Sequence, residues 1–243
     1  MMFIRSFIGV LLISSLPLRA EGVDPCRMFE EDTRLYYHEI QMSQENTVVP
    51  IVLPRNFFRT RAAIQDLSKG PERDGEMFWI DLDTWEGLNS SEQAERIRAG
   101  NERSIAVVLR DIVDLDKLLE FRTATIHGTG KRQSTDPDFG METPARFDSR
   151  LNQVNLSGRS TILIGEIYVD RAADGTIRSV FRCSTNVPYP SCEQEFRAEG
   201  LDAKVRYRRS QLPHWHEIEE AARAMLRCAV DPKYRPENDK RTR

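Results

Sequence analysis

The chain is poor in the side chains that most often carry chemistry. Its 243 residues include four histidines and four cysteines. No Gly-x-Ser-x-Gly elbow supplies a hydrolase nucleophile. A Cys/His catalytic pair is poorly supplied too, because every cysteine has a prospective bridging partner. Excess positive charge is missing as well. There are 35 basic and 38 acidic residues, a net charge of −3, which argues against nucleic acid as a partner. Past residue 20 no run is apolar enough to span a bilayer, which takes roughly twenty residues, so no membrane insertion is expected. There is no internal repeat and no low-complexity tract.

What is present begins at the first residue. MMFIRSFIGVLLISSLPLRA has the three parts of a cleavable export signal: Arg5 in a short positive region, an apolar stretch from Phe7 to Leu18, and Ala20 at a suitable cleavage position. A buried N-terminal helix is the plain alternative. Val23-Asp24-Pro25 ahead of Cys26 is too polar for a lipid-attachment site. Cleavage removes Arg5 and Arg19 but no acid, which leaves about 223 residues at a net charge of −5. That length suits one large domain or two small ones. The expected organisation is a signal peptide over 1–20 and a single domain over 21–230. A break into two lobes is open near 128–138, and a mobile tail is expected over 231–243.

All four cysteines lie beyond the leader. In an oxidising compartment an even number predicts two disulfides, with three connectivities open. CSTNVPYPSC closes a ten-residue loop between two strand-like runs and makes Cys183 with Cys192 the favoured pair. Cys26 and Cys228 are then left to tie the mature N-terminus to the last helix. Free buried thiols are the alternative.

The C-terminal half reads as an antiparallel meander closed by a helix. STILIGEIYVD is a strand, RAADGT a turn with Asp174-Gly175 at its tip, and IRSVFRCS an imperfect alternation suited to a bulged strand. EQEFRAEG and AKVRYRRS follow as strands, joined through Gly200, Leu201 and Asp202. Pro213 sits in the first turn of a helix, where its missing N–H costs nothing. Trp215, Ile218, Ala222, Met225 and Ala229 form one apolar stripe of it, with Glu217, Glu219, Glu220 and Arg223 off that stripe.

In the N-terminal half TVVPIVLP and MFWIDLD read as strands, the first demoted to an edge by Pro50. Asn89 or Ser90 can cap a helix over SEQAERIRAG, ended by Gly100. SIAVVLRDI is a strand, DLDKLLEF a short helix, and residues 128–138 a polar loop. The predicted fold class is α+β: a mainly antiparallel sheet, helices packed on one side, and a C-terminal amphipathic helix.

Four segments resemble chemical motifs. HEIQM at His38 and HWHEIEE at His214 each lack the second histidine that a zinc helix needs four residues on. His214 and His216 are two apart, about 200° around a helix, and cannot share a metal there. Solvated histidines at helix starts are the simpler reading. Asp81, Asp83 and Glu92 fall at positions 1, 3 and 12 of a calcium loop, but Trp85 and Glu86 occupy positions that need an oxygen ligand and a glycine. A strand end, a turn and a capped helix account for them. HGTGKR has Thr125 and Arg132 where a phosphate loop needs Gly and Ser or Thr. No catalytic, cofactor-binding or metal-binding residue is therefore assigned, and no cofactor. A carboxylate-pair glycosidase leaves no local signature and stays open. The two Asn-x-Ser sequons, at Asn89 and Asn155, are about what chance provides.

From Cys183 onward NVPYPSC, EF, VRY and LPHWHEIEEAARAML resemble the ending of small periplasmic bacterial proteins encoded beside type VI secretion effectors, read as immunity factors. PRNFF at 54–58, MFWIDLDTWEG, and FGMETPARF at 139–147 resemble earlier segments of that group. CAV stands where such a helix is followed by phenylalanine. The matching residues are structural, so the resemblance implies fold, periplasmic location and a protein partner, a secreted effector toxin, and transfers no functional residue. The leading expectation is a non-catalytic protein that neutralises that toxin. An envelope-associated ligand-binding or interaction protein and a periplasmic hydrolase are the other two readings.

Overall fold

The computed structural model describes residues 24–31, 35–58, 70–71, 77–99, 102–111, 114–125, 132–146, 165–184 and 188–235. The expected leader, Asn155, Gly100 and the HGTGK part of HGTGKR lie outside the described residues.

Among the described residues ten strands and four helices follow in the order α1 (Arg27–Glu31), β1 (Leu35–Met42), β2 (Thr47–Pro54), β3 (Met77–Asp81), α2 (Ser90–Arg98), β4 (Ser104–Leu109), α3 (Leu115–Thr125), β5 (Arg132–Asp138), β6 (Met141–Arg146), β7 (Gly165–Arg171), β8 (Ile177–Ser184), β9 (Ser191–Ala198), β10 (Leu201–Arg208) and α4 (Trp215–Val230). β1 and β2 form a two-stranded hairpin. The other eight strands make one antiparallel sheet in the order β3-β4-β10-β9-β8-β7-β6-β5. The architecture is α+β, with α4 as the amphipathic C-terminal helix.

The meander β7 to β10 reflects its alternating apolar residues. Residues 160–164 of the first expected strand lie outside the described residues. A register shift between Asp170 and Arg171 sets Arg178 out of the β7–β8 pairing, which is the bulge that the uneven alternation of IRSVFRCS pointed to. The connection between β9 and β10 is shorter than the expected Gly-Leu-Asp. Only Glu199 and Gly200 turn, both with positive φ (54° and 75°), and Leu201 and Asp202 already pair. Two such residues match the twist of the flanking strands. Gly87 answers a different need. A Cβ there would lie 1.6 Å from the Asn56 carbonyl oxygen, so only glycine lets these two backbones meet.

Strand alternation separates the sheet into two faces. Phe78, Ile105, Val107, Phe181, Phe196, Val205 and Tyr207 are buried on one, beneath α4 and the β1–β2 hairpin. The expected stripe of α4 is buried throughout, and Trp215 anchors it edge-on against Phe181 at 5.3 Å while its indole N–H donates to the Phe139 carbonyl. Helix α3 packs on the opposite face, where Leu118 meets Val169 and Val180.

Two expectations are corrected. LYYHEIQM is a strand, not a helix start. Residues 132–138 are strand β5 where a polar loop was expected, because β6 supplies hydrogen-bonding partners that the local composition does not reveal. The chain stays packed beyond residue 230, where Tyr234 is buried against Phe29, ring centroids 5.3 Å apart, and donates to Glu30.

Candidate functional site

The residues singled out in the sequence do not converge. The three carboxylates of the calcium-like segment go separate ways. Asp81 accepts from the Asp83 and Thr84 amides, which fixes the turn, and pairs with Arg96. Asp83 pairs with Arg103 at 2.6 Å. Glu92 accepts from the Asn89 amide while Asn89 Oδ1 accepts from the Ser91 and Glu92 amides, a reciprocal cap that starts α2. Among the described residues no group of three His, Cys, Asp or Glu side chains is placed to hold a metal.

The histidines divide. His214 and His216 are exposed at the start of α4, His214 within 3.7 Å of Glu217. His38 is not solvated. It points with Ile40 and Met42 into the core beside Phe58, and burial lowers its pKa to about 4. Cys26 is bonded to Cys228, joining α1 to the last turn of α4, and Cys183 to Cys192, directly opposite one another on β8 and β9.

Two polar groupings stand out, one on each face of the sheet. On α4 lies Glu219, off the expected stripe and yet buried. Its carboxylate accepts from Ser179 Oγ at 2.6 Å, from Gln194 Nε2, and from Arg223 Nε at 2.8 Å. Arg223 also donates to the Arg197 carbonyl and lies 4.7 Å over the Phe196 ring. Tyr207 donates to Gln194, and burial, with Glu219 close by, pushes its hydroxyl above the ordinary tyrosine range. Glu219 thus meets donors from three side chains of two strands and its own helix. A carboxylate so engaged is a peg between helix and sheet, poorly set to take a proton from a substrate. A 340 Å³ cleft reaches it, lined by Glu219 itself with Asp170, Arg178, Trp215, His216 and Glu220, and none of its lining residues is a serine, threonine or cysteine.

On the other face, cross-strand register sets Trp79, Ala106, Arg206, Glu193 and Arg182 in one row over β3, β4, β10, β9 and β8. With strands roughly 4.8 Å apart the row is about 19 Å long. Arg206 lies 3.6 Å, Lys204 3.8 Å, Arg122 3.6 Å and Arg182 3.9 Å from Glu193. Arg122, reaching in from α3, also grips both oxygens of Glu195, and Lys204 is 3.2 Å from that residue. Burial opposes the charge on Glu193, but these four cations together hold its carboxyl below the usual range. Burial and then the neighbouring Arg122 lower the Arg182 guanidinium from its ordinary value, a sign that the cations crowd one another. Beside the row, two residues along β10 from Arg206, Arg208 lies 4.8 Å over the ring of Tyr189, which is 70% exposed. Trp79, Ser104, Tyr189, Ser191, Arg206 and Arg208 line a cavity of 330 Å³.

No family model matches the chain, and no curated protein matches it. Among solved structures it is similar to Smlt3025, an immunity protein of the Stenotrophomonas maltophilia type IV secretion system, at 14% identity over 79% of this chain and 92% of that one, with a TM-score of 0.48. It is also similar to the Neisseria meningitidis iron-regulated outer membrane lipoprotein FrpD, at 12% identity over 80% of this chain and 92% of that one, with a TM-score of 0.40.

Proposed function

We propose that the protein works in the periplasm as a non-catalytic immunity factor, binding a secreted toxin and blocking it. The observation that carries this reading is the contrast between its two polar groupings. The buried one is saturated by its own neighbours, whereas the exposed one collects the side chains that dominate protein interfaces, Trp79, Tyr189 and arginines. Inhibition by binding needs only a complementary surface; catalysis needs convergent groups free to change protonation or attack. Export is supported by the leader-like first twenty residues and by two disulfides, which persist in oxidising compartments. The type VI assignment rests on the sequence resemblance alone.

The test is survival. If a neighbouring gene encodes an exported toxin, cells that export it should keep growing when they also export the full chain. Retaining the chain in the cytoplasm by deleting residues 1–20 should abolish protection. Glu219→Gln, which removes the charge of the buried carboxylate that α4 itself carries, should leave protection intact wherever the variant folds. Loss of protection in a folded Glu219→Gln protein that still binds the toxin would establish an enzyme instead.

A further inference from the structure

The exposed face of the sheet has a charge pattern that restricts what it can bind. Arg122, Arg182, Lys204 and Arg206 gather around two carboxylates, Glu193 and Glu195, and Arg208 stands two residues along β10 from Arg206, so these seven residues carry an excess of three positive charges. The chain as a whole is at −3. A local reversal of sign of this size attracts and orients acidic partners. Arg206 is about half exposed at its side chain (46%) and Arg182 a third (33%), so both heads remain within reach of a visitor. Arg208 is held by stacking on Tyr189, so ordering it on binding costs less conformational entropy than ordering a free arginine.

We infer that this face, from Trp79 across Arg206 to Arg182 and bordered by Tyr189 and Arg208, is the docking surface for an acidic segment of a protein partner. The inference rests on the binding function proposed above and names the surface that performs it. Arg206 and Arg208 alternate along β10 and sit about 7 Å apart, while Arg182 lies two strands from Arg206, about 10 Å away. Carboxylates at those spacings can each take a two-pronged guanidinium contact. An apolar or aromatic side chain between them would enter the 330 Å³ cavity against Trp79. The row reads positive, negative, positive through Arg206, Glu193 and Arg182. A protein surface that mixes carboxylates with donors complements that alternation. A uniform polyanion would have to face Glu193, which its neighbours keep ionised.

The test uses the full mature chain and a fluorescently labelled Glu/Tyr copolymer peptide, with heparin and anionic phospholipid vesicles as competing classes of anion. The peptide should bind with an affinity that falls as salt rises. The double variant Arg182→Gln/Arg206→Gln should weaken it by at least about tenfold, the size typical of an anchoring arginine. Arg206→Lys, which keeps the charge but not the fork, should weaken it by less. Lys233→Gln, a charge change beside Glu30 at the far end of α4, should leave affinity unchanged. Circular dichroism and thermal midpoints establish that each variant is folded. Absence of peptide binding, equal losses from Lys233→Gln, or tighter binding of heparin or vesicles than of peptide would overturn the inference. Toxin protection is scored separately. Full protection by a double variant that no longer binds peptide refutes this surface and leaves the neutralising function standing. Peptide binding at this face by a chain that protects against no toxin refutes that function and leaves the surface.

Discussion

On the α4 side of the sheet Glu219 is largely buried, and its carboxylate meets donors from three side chains. On the other side two carboxylates, Glu193 and Glu195, meet a surplus of cations whose outer members stay within reach of water. Both groupings are made of Arg, Glu and a tyrosine. What separates them is cover. Helix α4 lies over the first, and its charge is matched by donors from the sheet beneath and from Arg223 on the helix itself. The second keeps Arg206 and Arg182 partly exposed. One grouping holds the fold; the other is available to a partner.

The largest effect should come from unfastening the covered side. Cys26 and Cys228 are 202 residues apart, and closing so long a loop stabilises by about 5 kcal/mol in the chain-entropy picture. Cys183 and Cys192 are 9 apart, worth about 3 kcal/mol. The double variant Cys26→Ser/Cys228→Ser should therefore lose more stability in urea titration than Cys183→Ser/Cys192→Ser. Equal losses would mean that α4 is held down without its bridge.

Next in size is the peg itself. Glu219→Ala strips the partner from Arg223 and leaves Ser179 and Gln194 without their acceptor, at a cost of about 4 kcal/mol. Equilibrium unfolding measures it. A loss below 1 kcal/mol would show that the cluster does not peg helix to sheet, and the contrast between the faces would weaken.

His38 gives the covered side a pH signature. In the folded protein burial lowers its pKa to about 4, whereas the unfolded side chain takes a proton near 6.5. Between those values the unfolded state binds more protons, so stability is full above pH 6.5 and falls as pH drops. The total loss by pH 4 is roughly 3 kcal/mol. His38→Gln should flatten the decline measured between pH 6.5 and 4. An unchanged decline would assign it to other groups.

These two residues also mark where the sequence stopped being legible. The β7–β10 meander and the stripe of α4 could be read because their periods are regular and the Asp174-Gly175 turn is local. Glu219 falls off the single row that a helix packed on one neighbour buries; α4 lies against both the sheet and the hairpin, and its buried arc is wider. LYYHEIQM hides its strand character because its outward positions carry Glu39 and Gln41 while an inward one carries His38. The arginine row does leave a local signal in the sequence. Lys204, Arg206 and Arg208 alternate along one strand, and Glu193 and Glu195 alternate along its neighbour. Only the register places them opposite each other and brings Trp79 into line, and register depends on pairings between segments far apart in sequence.

The smallest expected effect is the sharpest test of the comparison. Arg206 is 46% exposed and lies 3.6 Å from Glu193, which also has Arg122, Arg182 and Lys204 nearby. Removing one of four cations leaves Glu193 compensated, and an exposed ion pair of this kind contributes little. Arg206→Ala should change folding stability by less than about 0.5 kcal/mol. Thermal and urea unfolding of this variant beside Glu219→Ala place the two arrangements on one scale. If the exposed arginine proves as costly to remove as the buried glutamate, its charge is committed to the fold. The open face would then hold the protein together as the covered one does, with nothing left over for a partner.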